Sequence, residues 1–386
     1  MSRNWSGSRG FRVLVGVAAV TAVAGLLSAC GNESSDGRSD TVYFGVSGPK
    51  TGGSAEYGRL WQQGFDLALD EINAAGGIDG RKVALKWEDS QSDPKQTVPI
   101  ATKFVGDKSI IAELGDFSSP ASIAASPVYN RGKLVQYGFT NSSVDFTKGG
   151  DYSWSPSITL DVYMERNAEW VRSKAKKVSV VYLETDWGKQ AFKFFEQFAK
   201  EKGIEIAYSS AILPDSQDFR PVLIKGRDAN PDAFVHLGYG PDGALVVKQL
   251  RDVGFTGQLF AGQNTPQFID LAGAAAAGDI VNGVFTPSDP SPKIQSFVTK
   301  FRAKFDTDPG DFNVYAYDAL NVLVKAAKTG GATREGVLKG LREIKDFDGI
   351  GLGTFAFDQQ TRRPSGVKPI ELELRSGKFV PVGSAK

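Results

Sequence analysis

This 386-residue chain predicts an α/β protein built as two doubly wound parallel-sheet lobes. Three observations carry that prediction. Short apolar runs alternate with amphipathic helical stretches from residue 42 to about residue 262. The alternation falls into two series, the second beginning near residue 160, and each is the size of one doubly wound unit. The tail then changes character, with three helices that have no strand between them followed by short β segments.

Taken in order, VYFGV (42–46) reads as a strand, and the next stretch places Trp61, Phe65, Ala68, Leu69 and Ile72 on one helical face. Gly76 and Gly77 supply the left-handed stop. KVALKWE (82–88) alternates like a strand. A helix of about a dozen residues follows Pro94, and Pro99 inside it predicts a kink or a late start. SIIAEL is a strand, SPASIAASPVYN a helix and KLVQYG a strand. The second series runs DVYMERNAEWVRSK (helix), VSVVYLE (strand), a helix after Trp187, IEIAYSS (strand), DFRPVLIKGRD (helix), DAFVHLG (strand), DGALVVKQLRDVG (helix) and QLFAG (strand). Helices near 291–306, 312–328 and 333–344 follow, and then GIGLGTFAF, KPIELEL and KFVPV read as antiparallel β.

The first 30 residues are a different material. Arg3, Arg9 and Arg12 precede the apolar run VLVGVAAVTAVAGLL, which is short for a membrane span. Leu27-Ser28-Ala29-Cys30 then resembles a bacterial lipoprotein cleavage box, and Cys30 is the only cysteine. Residues 1–29 are therefore expected to be a signal peptide, Cys30 a lipidated first residue anchored to the membrane, and 30–40 (GNESSDGRSD and its start) a polar tether. The remaining chain is slightly acidic and without a Lys/Arg block, which argues against a nucleic-acid partner.

Catalytic chemistry has few carriers. His236 is the only histidine, so a nucleophile–histidine mechanism would have to use it. At the end of its predicted strand it suits a core or cleft-wall place as well. Zinc sites of His and Cys are excluded by count. GIGLGTF lacks the strand–turn–helix setting of a dinucleotide fingerprint, and no P-loop occurs. The expectation is a protein without enzyme activity, cofactor or metal.

Binding is better served. In open α/β sheets, ligands sit beyond the carboxyl ends of the strands. The segments leaving those ends are SGPKTGGSAEYG, GDFSSPAS, YGFTNSSVDFT, ETDWGKQ, GYGPDG and AGQNTPQ, which combine small hydroxyl and amide residues with aromatics. Ser119, before Pro120, reads as a helix N-cap worth roughly 1 kcal/mol. The same terminus would also receive a carboxylate, with Ser118 beside it. Both roles can coexist. Tyr57 and Trp187 are further candidates for the cleft, although a lone tryptophan ahead of a helix is often a core residue.

Together these segments resemble the type I periplasmic binding proteins of the leucine/isoleucine/valine-binding kind, which serve ABC importers. The likeness covers nearly all of residues 41–380, through SGPKTGGSAEYGRLWQQGFDLALDEINAAGGIDGRKV, GDFSSPASIAASPVYN, LETDWGKQ and FNVYAYDALNVL. The resemblance implies two lobes joined by a three-segment hinge, closing on a small molecule. It implies lobe 1 as 41–157 plus 286–345 and lobe 2 as 158–285 plus 346–386. It also implies that Tyr57 walls the ligand and that Ser119 holds a carboxylate. Ser142 assists, with Thr140 and Asn141 as neighbours, and Trp187 and Tyr239 close the far side.

One position departs from that pattern. Where amino-acid binders of this kind place an acid to pair the ligand ammonium, AGQNTP places Gln263. A neutral amide does not neutralise a buried ammonium. Glu184 or Asp186 in LETDWG are the candidates to replace the acid; otherwise amides, urea-like compounds, aromatic acids and other small carboxylates fit better than a branched-chain amino acid. The expected partners are a small polar ligand, an ABC permease and the membrane through the lipid, with the protein acting as a monomer. A ligand-sensing module of the same fold and a secreted hydrolase are the alternatives.

Overall fold

The computed structural model describes residues 40–382 apart from Asp215. Cys30, the signal segment 1–29 and nearly all of the tether lie outside the described residues. Strands β1 (Thr41–Gly48), β2 (Lys82–Asp89), β3 (Ile110–Gly115), β4 (Val135–Tyr137) and β5 (Ser153–Trp154) form one parallel sheet in the order β2-β1-β3-β4-β5. The connecting helices are α1 (Ala55–Ala74), α2 (Pro94–Gly106) and α3 (Ser119–Arg131). The face of α1 that carries Trp61, Phe65, Ala68 and Ile72 is buried, as its spacing requires. The helix closes with Gly77 N–H donating to Ile72 O at 2.9 Å, Gly77 taking φ +65°. Helix α2 starts at Pro94 and runs through Pro99; Asp93 caps it by accepting from Lys95 N–H at 2.8 Å, so there is no late start.

The second series is α4 (Leu160–Lys174), β6 (Lys177–Leu183), α5 (Asp186–Glu201), β7 (Glu205–Ile212), α6 (Arg220–Asp228), β8 (Ala233–Leu237), α7 (Gly240–Asp252) and β9 (Gln258–Phe260). Its parallel sheet has the order β7-β6-β8-β9. Helix α8 (Pro266–Ala272) and strand β10 (Ile280–Gly283) complete the passage; neither announces itself in the sequence. In both sheets the first strand of the series sits between the second and the third. The chain direction therefore reverses beside β1/β3 and beside β6/β8, and a crevice opens at the carboxyl ends of those strands.

Three further helices, α9 (Pro292–Phe305), α10 (Asp311–Gly330) and α11 (Arg334–Glu343), return to the first sheet, where Val298, Phe301, Leu320, Leu323 and Leu341 join its core. The hairpin β11 (Phe347–Gly349)/β12 (Gly353–Phe355) follows. The expected boundary at 346 is corrected here. Phe347, Phe355 and Phe357 pack into the first core, Phe357 edge-on to Tyr137 at 6.2 Å and to Trp154 at 5.4 Å between ring centroids. Only β13 (Ile370–Arg375) and β14 (Lys378–Pro381) belong with the second core, β13 pairing antiparallel with β10. The chain thus passes between the two cores three times, after β5, after β10 and after Phe357. Among the described residues, no helix is long and apolar enough to cross a membrane.

Candidate functional site

A cavity of about 140 Å³ lies at the carboxyl ends of both sheets, walled by residues of each. From the first half come Phe117 and Ser119 after β3, Thr140 and Ser142 after β4, and Phe312 and Tyr315 of α10. The second half contributes Trp187 at the start of α5, His236 and Tyr239 at the end of β8, Phe260 at the end of β9 and Ala261 to Asn264 after it. Leu160, Tyr163, Met164 and Asn167 enter from α4, all on one face by their i, i+3, i+4 and i+7 spacing. Among the described residues, no lysine or arginine lines the cavity, and Asp311 is its only carboxylate.

Of the residues the sequence nominates, Ser119, Thr140, Ser142, Trp187, Tyr239 and Gln263 line this cavity. Ser142 and Trp187 meet across it, the indole Nε1–H donating to Ser142 Oγ at 3.0 Å. Trp187 lies 5.3 Å from Tyr239, ring to ring, with 31° between the planes. Ser119 is the first residue of α3, and its hydroxyl accepts from Ser143 N–H at 3.3 Å.

Three nominated residues take other places. Ser118, not Ser119, is the N-cap of α3, and its hydroxyl turns away to donate to Ser92 O at 3.2 Å. Asn141 is fully buried behind the wall, where its amide donates to Asp116 O at 2.9 Å and holds the loop that carries Phe117. Tyr57 does not wall the cavity, because its ring is stacked 3.8 Å behind that of Phe117. Its hydroxyl instead bridges to the second half, accepting from Gly240 N–H at 3.0 Å and meeting Gln263 Oε1 at 2.5 Å. Glu184 and Asp186, the acids nominated as substitutes, are exposed and outside the cavity; Glu184 pairs with Lys189 at 2.5 Å.

The remaining polar wall groups are tied down by neighbours. His236 Nε2 bonds Asp242 Oδ2 at 2.7 Å, and the same carboxylate accepts from Tyr239 N–H at 3.0 Å. Gly262 N–H approaches His236 Nδ1 at 3.5 Å, which leaves Nε2 to carry the proton. Gly262 has φ +77°, and a Cβ there would lie 2.0 Å from Phe268, so only glycine turns the chain at this corner. His236 is thus a wall residue with both ring nitrogens taken up by protein neighbours. Asp311 Oδ1 accepts from Asn264 Nδ2 (3.2 Å), Val284 N–H (3.4 Å) and Phe285 N–H (3.1 Å), pinning the second passage between the cores. Burial raises its pKa to about 7. Burial also pushes up the phenols of Tyr163, Tyr239 and Tyr315, which keeps them protonated at neutral pH. Tyr163 and Tyr315 share a hydroxyl–hydroxyl bond of 2.9 Å.

Sequence reasoning gave no warning of Arg363. Its buried guanidinium donates to the carbonyls of Asn141 (2.9 Å), Ser143 (2.7 Å) and Ser157 (3.0 Å), directly behind the Ser142 loop. Burial lowers its pKa to about 10, which leaves it charged at neutral pH. A full positive charge therefore stands behind the loop that faces the start of α3. The only hint is the pair Arg362-Arg363 beside a proline in a segment otherwise read as a β connection.

A family model described as periplasmic binding protein matches residues 41–367. The Leu/Ile/Val-binding protein homolog 1 of Brucella abortus is 27% identical over 327 residues, 83% of this chain and 86% of its own length. The amino acid binding protein of Pseudomonas aeruginosa is 28% identical over 299 residues, 75% of this chain and 79% of its own. Among solved structures, the branched-chain amino acid transporter substrate binding protein LivJ from Streptococcus pneumoniae, in complex with isoleucine, gives a TM-score of 0.81 at 27% identity, covering 88% of this chain and 97% of its own. A solute binding protein of an ABC transporter from Rhodopseudomonas palustris, in complex with 3,4-dihydroxy benzoic acid, shares the fold with a TM-score of 0.78 at 22% identity, covering 89% and 96%.

Proposed function

The chain belongs to the periplasmic binding protein family, as a type I member of the branched-chain amino acid-binding kind, and from that premise we propose that it captures a small polar organic ligand between its two lobes for an ABC-type importer. The observation that carries the reading is the cavity walled from both halves, with Trp187–Ser142 bridging across it and Tyr57–Gln263 joining the halves behind the wall. A ligand that touches both halves only when they are together shifts the open–closed equilibrium toward the closed form. Lobe 1 is residues 41–157 with the returning helices and the β11/β12 hairpin; lobe 2 is 158–285 with β13 and β14.

In this reading a ligand carboxylate sits at the start of α3, between the hydroxyls of Ser119, Thr140 and Ser142. The helix terminus and the Arg363 charge behind the loop favour an anion there. Trp187 and Tyr239 cover the ligand from lobe 2, and Gln263 meets its other polar end. Lipidated Cys30 anchors the protein outside the cytoplasm, the tether gives it reach, and a membrane permease receives the ligand from the monomer. In this reading the protein binds and releases its ligand without chemistry, and His236 serves as a wall residue held by Asp242 and Gly262.

Titration calorimetry against a panel of amino acids, amides, 2-oxo and 2-hydroxy acids and small aromatic acids tests the proposal. Saturable 1:1 binding that Ser119→Ala weakens at least tenfold is expected. Absence of binding across the panel by the folded protein overturns it.

A further inference from the structure

We infer that the second polar group of the ligand is a neutral hydrogen-bond acceptor, so that the cleft selects a small carboxylic acid bearing an oxo or hydroxyl oxygen over an α-amino acid. The inference rests on the reading of the cleft as a solute site and specifies the solute.

The argument begins with a buried hydroxyl. Tyr57 O–H is enclosed, with two polar neighbours, Gly240 N–H at 3.0 Å and the Gln263 amide at 2.5 Å. A backbone N–H can only donate, so the tyrosine oxygen accepts there. Its own proton then needs an acceptor, and the Gln263 amide oxygen is the one within reach. That bond fixes which way the amide faces. Oε1 is turned to Tyr57, and the two Nε2–H donors are left for the cavity that Gln263 lines. Gln263, which stands opposite the Ser119–Ser142 end of the cavity, is thus locked as a donor, and a donor facing an ammonium is repulsive as well as uncompensated.

Other groups in the wall do not reverse this: Asn282 Oδ1 is a buried acceptor there without a partner, but it is neutral and does not neutralise an ammonium. Asp311 is the single carboxylate there among the described residues, and its oxygens already accept from Asn264, Val284 and Phe285. The carboxylate of Asp242 is occupied by His236 and by Tyr239 N–H. The charge behind the Ser142 loop is the cation of Arg363. The cleft therefore offers donors at both ends, which suits an anion with an acceptor and opposes a zwitterion.

The test uses one carbon skeleton with three head groups: leucine, 4-methyl-2-oxopentanoate and 2-hydroxy-4-methylpentanoate, with the phenylalanine, phenylpyruvate and phenyllactate set in parallel. Each is titrated calorimetrically into the purified protein and into Gln263→Glu, whose carboxylate still accepts from Tyr57. In at least one set, the wild type is expected to bind the oxo or hydroxy acid at least tenfold more tightly than the amino acid, and Gln263→Glu to reverse that order. Tighter binding of the amino acid by the wild type overturns the inference and leaves solute capture standing. So does amino-acid binding that Asp311→Asn abolishes, since the ammonium would then sit on Asp311. If neither protein binds any probe, while circular dichroism and melting show both folded, the inference falls together with the reading beneath it.

Discussion

Under the proposed reading, the Tyr57 hydroxyl sets a preference without touching the ligand. It sits on lobe 1 behind Phe117, yet its two partners, Gly240 and Gln263, are on lobe 2. Tyr57→Phe keeps the ring and the stacking but strips a buried N–H of its acceptor and frees the Gln263 amide to turn. A stability loss of about 1–3 kcal/mol follows from the unsatisfied N–H. Thermal unfolding reads that loss, and calorimetry should find the discrimination between oxo and amino acids reduced. Full discrimination in Tyr57→Phe would mean that something else orients the amide. The sequence exposed the residue but not its role. A tyrosine in a glycine-rich loop past the first strand reads as a wall, and nothing local reveals that Phe117, sixty positions on, takes the wall and leaves Tyr57 the space behind it. Ser118 and Ser119 pose the same difficulty one residue apart. Either can cap α3 from sequence alone, and only the path of the loop after β3 turns Ser119 to the cavity and Ser118 to Ser92.

At the scale of elements, α10 does more than fill the space beside the first sheet. Its first residue, Asp311, accepts backbone donors from Val284 and Phe285, and so binds the second hinge passage to the helix. Burial holds the carboxyl at a pKa of about 7, against roughly 3.9 in an unfolded chain. The folded state therefore keeps its proton more tightly than the unfolded state does. Between about pH 4 and pH 7 the folded protein binds more protons, so this group's contribution to stability is present at the acid end and is lost as pH rises through about 7. Asp311→Asn should flatten that part of the stability-versus-pH curve, measured by urea unfolding of the ligand-free protein at intervals from pH 4.5 to 8. An unchanged slope would deny the assignment. The alternating elements of both series were legible because parallel strands buried on both faces leave continuous apolar runs between amphipathic helices. β5, α8 and β10 were not legible, because two to seven residues hold too little periodicity. The lobe to which the 347–357 hairpin belongs was hidden as well, since its phenylalanines would fit either core. The α4 wall was present as a stripe of Leu160, Tyr163, Met164 and Asn167, but a mixed apolar and polar stripe at helical spacing reads as ordinary packing until a cavity is seen beside it.

For the whole molecule, the question is what holds the two lobes together over the cleft. Among the contacts that link the lobes around it are Tyr57 to Gln263, Trp187 to Ser142, Gln190 to Asp145 at 2.8 Å, and Gln267 N–H to Glu56 Oε1 at 2.9 Å. In the proposed reading the first two involve groups that meet the ligand or orient those that do, so their loss would mix direct and indirect effects. Asp145 is exposed, and such a bond contributes little. Glu56 separates the two effects. It does not line the cavity, its side chain is only 6% exposed, and it meets the first turn of α8, where the free backbone donors favour an anion. A hydrogen bond to a charged group is worth about 1.5–3 kcal/mol. If the open form prevails without ligand, weakening closure by that amount raises the apparent Kd by at least about tenfold with every ligand contact intact. Glu56→Ala should therefore bind more weakly than wild type, chiefly through faster release, and by the same factor for every ligand in a series, because closure is common to all. Small-angle scattering should find Glu56→Ala open without ligand and, at saturating ligand, as compact as the wild type. A variant that loses affinity for one ligand and not for another would point to a change inside the cavity, and one that binds as wild type does would show that the lobes close without this latch.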